Sequence, residues 1–148
     1  GLTNIHHEKI GSEHDPRVTR LAGKADRVLV DAPCSGLGTL RRNPDLKYRQ
    51  SPESIAQLVR QKRSILQAAS ALVVPGGRLV YATCSVLLEE NERQIEEFLH
   101  GNPQFSLLNA GEILAAQKIA LDTGKYLQLD SAEHQTDGFF ADVLQRVD

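Results

Sequence analysis

The 148-residue sequence contains no methionine and no tryptophan, and only two cysteines. Two thiols 50 positions apart, Cys34 and Cys84, supply neither a disulfide framework nor the four ligands of an all-thiolate zinc site. A reducing, cytoplasmic setting is the expectation. No apolar run approaches the roughly 18 residues that a membrane-spanning helix needs. The opening residues, Gly1-Leu2-Thr3-Asn4-Ile5-His6-His7, lack the basic, apolar and small-residue segments of a signal peptide. Positive charge is not in excess either: 17 Lys and Arg stand against 19 Asp and Glu, a formal charge of -2. The strongly basic footprint of a chain that grips nucleic acid by charge alone is therefore missing. His6, His7 and His14 lack acids or thiols at metal-ligand spacing, so no metal is expected. With no methionine at position 1 and a turn-like opening, the chain is expected to be a piece of something longer.

What is present is the composition of one globular domain, 41% hydrophobic and 24% charged. Arg27-Val28-Leu29-Val30 reads as a buried parallel strand, because such strands are continuously apolar. A polar loop, Cys34 to Gln50, follows. Ser51-Pro52-Glu53 then combines a capping hydroxyl, proline at the first helical position and an acid facing the positive helix end. Apolar residues from Ile55 to Val73 recur mostly at three and four, and Pro75-Gly76-Gly77 is expected to stop this helix. Arg78-Leu79-Val80-Tyr81-Ala82 is a second buried strand, completing a strand–helix–strand unit with a right-handed crossover. A second helix is expected from about Glu89 to His100. Phe105 to Leu108 and Lys125 to Leu129 are further strand candidates. Asp137-Gly138 is a turn before a last strand, Phe139 to Leu144. No boundary divides the chain. The sequence predicts an α/β fold.

In an open parallel sheet, ligands bind beyond the carboxyl ends of the strands. Two segments leave strands there: Asp31-Ala32-Pro33-Cys34-Ser35-Gly36 and Ala82-Thr83-Cys84-Ser85. If the strands pair, both thiols and the Asp31 carboxylate share one crevice, an arrangement suited to thiolate chemistry. The helix near Glu89 helps an anion there only weakly, because Glu89, Glu90 and Glu92 oppose it.

These segments, together with Arg41-Arg42-Asn43-Pro44-Asp45-Leu46-Lys47-Tyr48, Glu89-Glu90-Asn91 and Asp137-Gly138-Phe139-Phe140, resemble the RsmB/NOP-type (Fmu/Sun) family of RNA (cytosine-5) methyltransferases. The resemblance runs from about residue 1 to 146. The paired Pro-Cys and Thr-Cys motifs are its most specific part, and the second points to RNA rather than DNA. It implies the C-terminal half of a Rossmann-like class I methyltransferase domain; the sheet of the intact domain is expected to be seven-stranded and mostly parallel, with one antiparallel strand late in the chain and the strands near 27–31 and 78–82 central. It also implies S-adenosylmethionine as cofactor and RNA, ribosomal RNA foremost, as partner. Carbon 5 of cytosine is a poor nucleophile, and covalent attack at carbon 6 makes it electron-rich, splitting one hard step into two. By resemblance Cys84 is that nucleophile and Cys34 assists release. Asp31 contacts the base or the cofactor. Arg41, Arg42, Lys47 and Arg49 are candidate phosphate contacts, and the base must be unpaired or flipped to react. The family's glycine-rich cofactor loop and any preceding RNA-binding domain are not found in residues 1–148, so the isolated chain is expected to be inactive.

Plainer readings stand beside these. Free cysteine is often buried and inert; Asp31 caps a turn; Arg41, Arg42 and Lys47 form a solvated loop. Arg60, Lys62 and Arg63 fall on the expected wet face of the first long helix. Two other functions remain open: a non-catalytic RNA-binding module with a methyltransferase-like fold, which predicts affinity without a covalent adduct, and a redox protein, which predicts a Cys34–Cys84 disulfide.

Overall fold

A computed structural model describes residues 3–148; of the turn-like opening, Gly1 and Leu2 lie outside the described residues. The elements run α1 (Pro16–Thr19), β1 (Ala25–Asp31), α2 (Leu46–Arg49), α3 (Pro52–Ser70), β2 (Val73–Thr83), α4 (Glu92–Gly101), β3 (Phe105–Leu108), α5 (Ala110–Ala116), β4 (Leu127–Leu129) and β5 (Phe139–Arg146). The sheet is mixed, with order β1-β2-β5-β3 and β4 paired to β5. β1 and β2 are parallel, while β5 runs antiparallel to β2, β3 and β4. The late antiparallel strand is the one the family resemblance implies.

β2 is central, as expected. Among the described residues the only partner of β1 is β2, and Leu29 is 69% exposed on it. The core lies where α3 and α4 pack on the sheet, around Leu66, Leu79, Tyr81, Ile95, Phe140 and Leu144. These six side chains are almost wholly removed from water, each stabilising the fold by about 1.5–3 kcal/mol of apolar burial before the entropy of ordering is charged.

α3 starts as its sequence dictates. Ser51 accepts from the Ser54 amide, the Ser54 hydroxyl accepts from the Ser51 amide, and Pro52 occupies the first turn. It ends earlier than expected, at Ser70, five residues before Pro75. The cause is competition from the sheet: Gly23 donates to the Ala71 carbonyl, and Lys24 and Ala25 both donate to that of Leu72. Pro75-Gly76-Gly77 does not stop a helix. It forms an irregularity inside β2, where Ala25 faces Val73 but Arg27 already faces Arg78. Gly76 adopts φ +77° there, a conformation available to glycine at little cost. α5 was not foreseen in the sequence, although Asn109 caps it by accepting from the Glu112 amide, a start signal of the usual kind.

Candidate active site

The parallel register carries the two cysteine motifs out of the same end of the sheet. Asp31 lies opposite Ala82, and the Ala32 amide extends the ladder by one bond to the Ala82 carbonyl. Beyond that point the chains turn, and Cys34 Sγ lies 3.3 Å from Cys84 Sγ. A disulfide requires about 2.05 Å, and both thiols are free and partly buried.

A third loop closes the arrangement. The Gly38 amide donates to the Cys84 carbonyl at 2.9 Å, and the Gly138 amide donates to the Gly38 carbonyl at 2.8 Å. This lacing leaves no space for a side chain at Gly38: a Cβ there would lie 2.3 Å from the Gly138 oxygen and 2.7 Å from that of Cys84. The expected turn at Asp137-Gly138 is not there, the chain turning at 131–133 instead; the 137–138 segment holds the Cys84 loop through Gly38 and leads into β5.

Over Cys84 opens a cleft of about 570 Å³, lined also by Arg41, Arg42, Asp137, Gly138 and Phe139. Arg42 forms an ion pair with Asp137. Arg41 reaches the Gln135 carbonyl at 3.4 Å. Lys47 and Arg49 sit elsewhere: Lys47 lies 4.8 Å over the Tyr48 ring, and Arg49 pairs with Asp45. Asp31 is exposed at the end of β1 and does not line the cleft. Burial first, then the hydrogen bond and charge of Cys34 and the charge of Asp31, push the Cys84 thiol up to about 11.

Beneath the two thiols lies a buried polar network that sequence reasoning missed. Lys62 is not on the wet face of α3; it is fully buried and ion-paired with the equally buried Glu90. Arg60 and Arg63 do face water. Lys62 also donates to the Pro33 carbonyl at 3.2 Å. Glu90 receives the Ser35 amide at 3.0 Å and the hydroxyls of both Ser35 and Ser85. Asn91 adds a clamp on the second loop, accepting from Thr83 Oγ1 at 2.6 Å and donating to the Ser85 carbonyl at 2.9 Å. Burial by itself would raise the Glu90 carboxyl, but hydrogen bonds from Lys62, Ser35 and Ser85 outweigh it and leave the group below its ordinary range. Glu90 therefore does not simply oppose an anion at the start of α4, because its charge is consumed by this network. The signal that could have found Lys62 was its position between Val59 and Leu66, on the apolar stripe of α3.

The chain's only Gly-x-Gly, Gly36-Leu37-Gly38, is not a free cradle, since the Gly38 face is filled by the Gly138 and Cys84 carbonyls. For a nucleoside cofactor such as S-adenosylmethionine, the described residues fit in part: the exposed Asp31 carboxylate is an acceptor for hydroxyl or amino groups, and Cys84 faces an open cleft.

The sequence model of the 16S rRNA methyltransferase RsmB/F family matches residues 3–145. The chain is 40% identical over 148 residues to a probable ribosomal RNA small subunit methyltransferase B of Synechocystis, covering 99% of this chain and 32% of that protein. It is 49% identical over 86 residues to the ribosomal RNA small subunit methyltransferase B of Salmonella paratyphi B, covering 58% of this chain and 20% of that one. Among solved structures it resembles NSun6 from Pyrococcus horikoshii, solved with SFG, with TM-score 0.67 and 26% identity over 88% of this chain and 33% of the other. The chain spans about a third of the length of these full-length relatives or less.

Proposed function

Because the chain belongs to the 16S rRNA methyltransferase RsmB/F family, we propose that it carries the base-attacking half of an RNA (cytosine-5) methyltransferase acting on ribosomal RNA in the cytoplasm. The observation that carries this reading is the pair of free thiols, 3.3 Å apart, with Cys84 facing an open cleft. S-adenosylmethionine, when bound, supplies a methyl group made reactive by its sulfonium sulfur. The steps assigned to this chain are the others. Cys84, as thiolate, forms a bond to carbon 6 of the cytosine, and the displaced electron pair makes carbon 5 nucleophilic. After methyl transfer, Cys34 takes the proton from carbon 5, and the carbon 6–sulfur bond breaks as the ring double bond returns. Asp31, at the end of β1, is the acceptor for the base amino group or a cofactor hydroxyl. Of the cations, Arg41 and Arg42 at the cleft rim suit phosphate contacts best; Lys47, on α2, is outside the cleft lining.

The same proposal assigns the glycine-rich cofactor loop to residues outside these 148, since Gly36-Leu37-Gly38 is packed against Gly138. The test is a pair of single substitutions in the intact enzyme, assayed with labelled S-adenosylmethionine and ribosomal RNA. Cys84→Ala abolishes methyl transfer and forms no adduct. Cys34→Ala accumulates a covalent RNA–protein complex that survives a denaturing gel. The reverse pattern would exchange the two roles, and RNA binding with neither methyl transfer nor adduct in the unsubstituted enzyme would favour the binding module.

A further inference from the structure

We propose that the buried Lys62–Glu90 pair is a positioning device for the two thiols, acting through Ser35 and Ser85, the residues that immediately follow Cys34 and Cys84. The two cysteine loops come from different strands, β1 and β2, and their only common side-chain partner in the network is Glu90. One carboxylate thus ties down both loops one residue away from each sulfur. Lys62 holds the other side: it neutralises Glu90 and also fixes the Pro33 carbonyl, one residue before Cys34. The Gln50 amide completes the first loop by donating to the Ser35 carbonyl at 3.0 Å.

The arrangement is costly for packing alone. A buried ion pair recovers its desolvation penalty only when geometry is good and the remaining lone pairs are satisfied, and apolar residues of similar volume often serve a core as well. Here the hydrogen bonds beyond the pair itself run to the Pro33 carbonyl and the Ser35 amide and hydroxyl of the first loop and to the Ser85 hydroxyl of the second, and Ser35 Oγ lies 3.1 Å from Ser85 Oγ. The network therefore sets the separation of the loops, and with it the 3.3 Å between the sulfurs. A reaction in which one thiol holds carbon 6 while the other takes the proton from carbon 5 depends on that separation, because misplacing a catalytic group by about 1 Å costs on the order of a hundredfold in rate. The catalytic consequence rests on the function proposed above; the geometric claim does not.

The experiment uses the intact enzyme with Ser35→Ala, Ser85→Ala and the double variant, plus Glu90→Gln, which keeps an acceptor oxygen. Three quantities are read: the rate at which diamide joins Cys34 to Cys84, kcat, and KM for RNA. Melting temperature monitors folding. The expected result is slowed disulfide formation and a kcat lowered by about tenfold to a hundredfold, with KM for RNA unchanged, in serine variants that melt as folded proteins. Glu90→Gln should show a smaller effect than the double serine variant. Folded serine variants that join their thiols at the unsubstituted rate and keep kcat would overturn the proposal, as would a loss confined to KM. If the unsubstituted enzyme transfers no methyl group while the serine variants still slow disulfide formation, the proposed function fails and the positioning claim stands.

Discussion

At the scale of single residues, the site is governed by two neighbours placed where the chain alone would not put them. Cys84 has its thiol pushed up to about 11 by burial and by Cys34 beside it, so the thiolate is scarce near neutral pH. Alkylation of Cys84 by iodoacetamide should therefore be slow at pH 7 and keep rising toward pH 11. Cys34→Ala removes one raising influence and leaves burial, so the profile should shift to lower pH. An unchanged profile would mean that Cys34 does not touch the reactive thiol. Gly38 is the second case. A methyl group there must displace the main chain of Gly138 or of Cys84, and overpacking of this kind costs about 1–3 kcal/mol. Gly38→Ala should lower the urea midpoint accordingly.

At the scale of elements, the junction between α3 and the 85–91 segment carries the largest local stake. Lys62→Met leaves Glu90 buried and unpaired, a loss of about 3–5 kcal/mol. Replacing both partners, as Lys62→Met with Glu90→Leu, should recover much of that stability in urea unfolding while leaving the two serines without their acceptor. The pH dependence has a definite sign. Glu90 is held below its ordinary range, so its contribution is present above the unfolded pKa of about 4.3 and is lost as pH falls through the lower folded value. β5 carries an opposite case. Asp142 is buried opposite Tyr81, with no hydrogen-bond partner for either carboxyl oxygen. Burial raises its pKa well above the usual carboxylate value, and the nearby Tyr81 main chain offsets this only in part. Its contribution is then fully present below the unfolded pKa of about 3.9 and is lost as pH rises toward the folded value. Asp142→Asn should remove that fall, giving a flatter stability profile across the acid-to-neutral range in denaturant titrations.

At the scale of the whole molecule, the sheet is open along β1. That strand pairs on one side only among the described residues, and Leu29 stands 69% exposed on it. The thiols, their buried support and the cleft are all contained in the chain, whereas its one Gly-x-Gly is spent on loop packing. On the proposed function, the 148-residue chain by itself should fold its thiol pair yet show little or no methyl incorporation with labelled S-adenosylmethionine and RNA. Turnover matching that of the intact enzyme would contradict the assignment of the cofactor loop to residues elsewhere.

Much of this was legible from residue order alone. The apolar run at 27–30 and the Ser51-Pro52 start of α3 are local signals, because capping and proline geometry act within a few residues; the turn expected at Asp137-Gly138 instead lies earlier, at 131–133. The two cysteine motifs were legible for a related reason: consecutive parallel strands deliver their following loops to one end of a sheet. Tertiary structure alone decided three things. Competition from Gly23 to Ala25 for the Ala71 and Leu72 carbonyls ended α3 early. The approach of Gly138 to Gly38 brought a loop distant in sequence against the one bonded to Cys84. The meeting of Lys62 with Glu90 turned two residues that look solvated in sequence into the buried anchor of both thiol loops. Each depends on contacts between distant segments, and a charge is read as exposed until the packing shows that a partner has been buried with it.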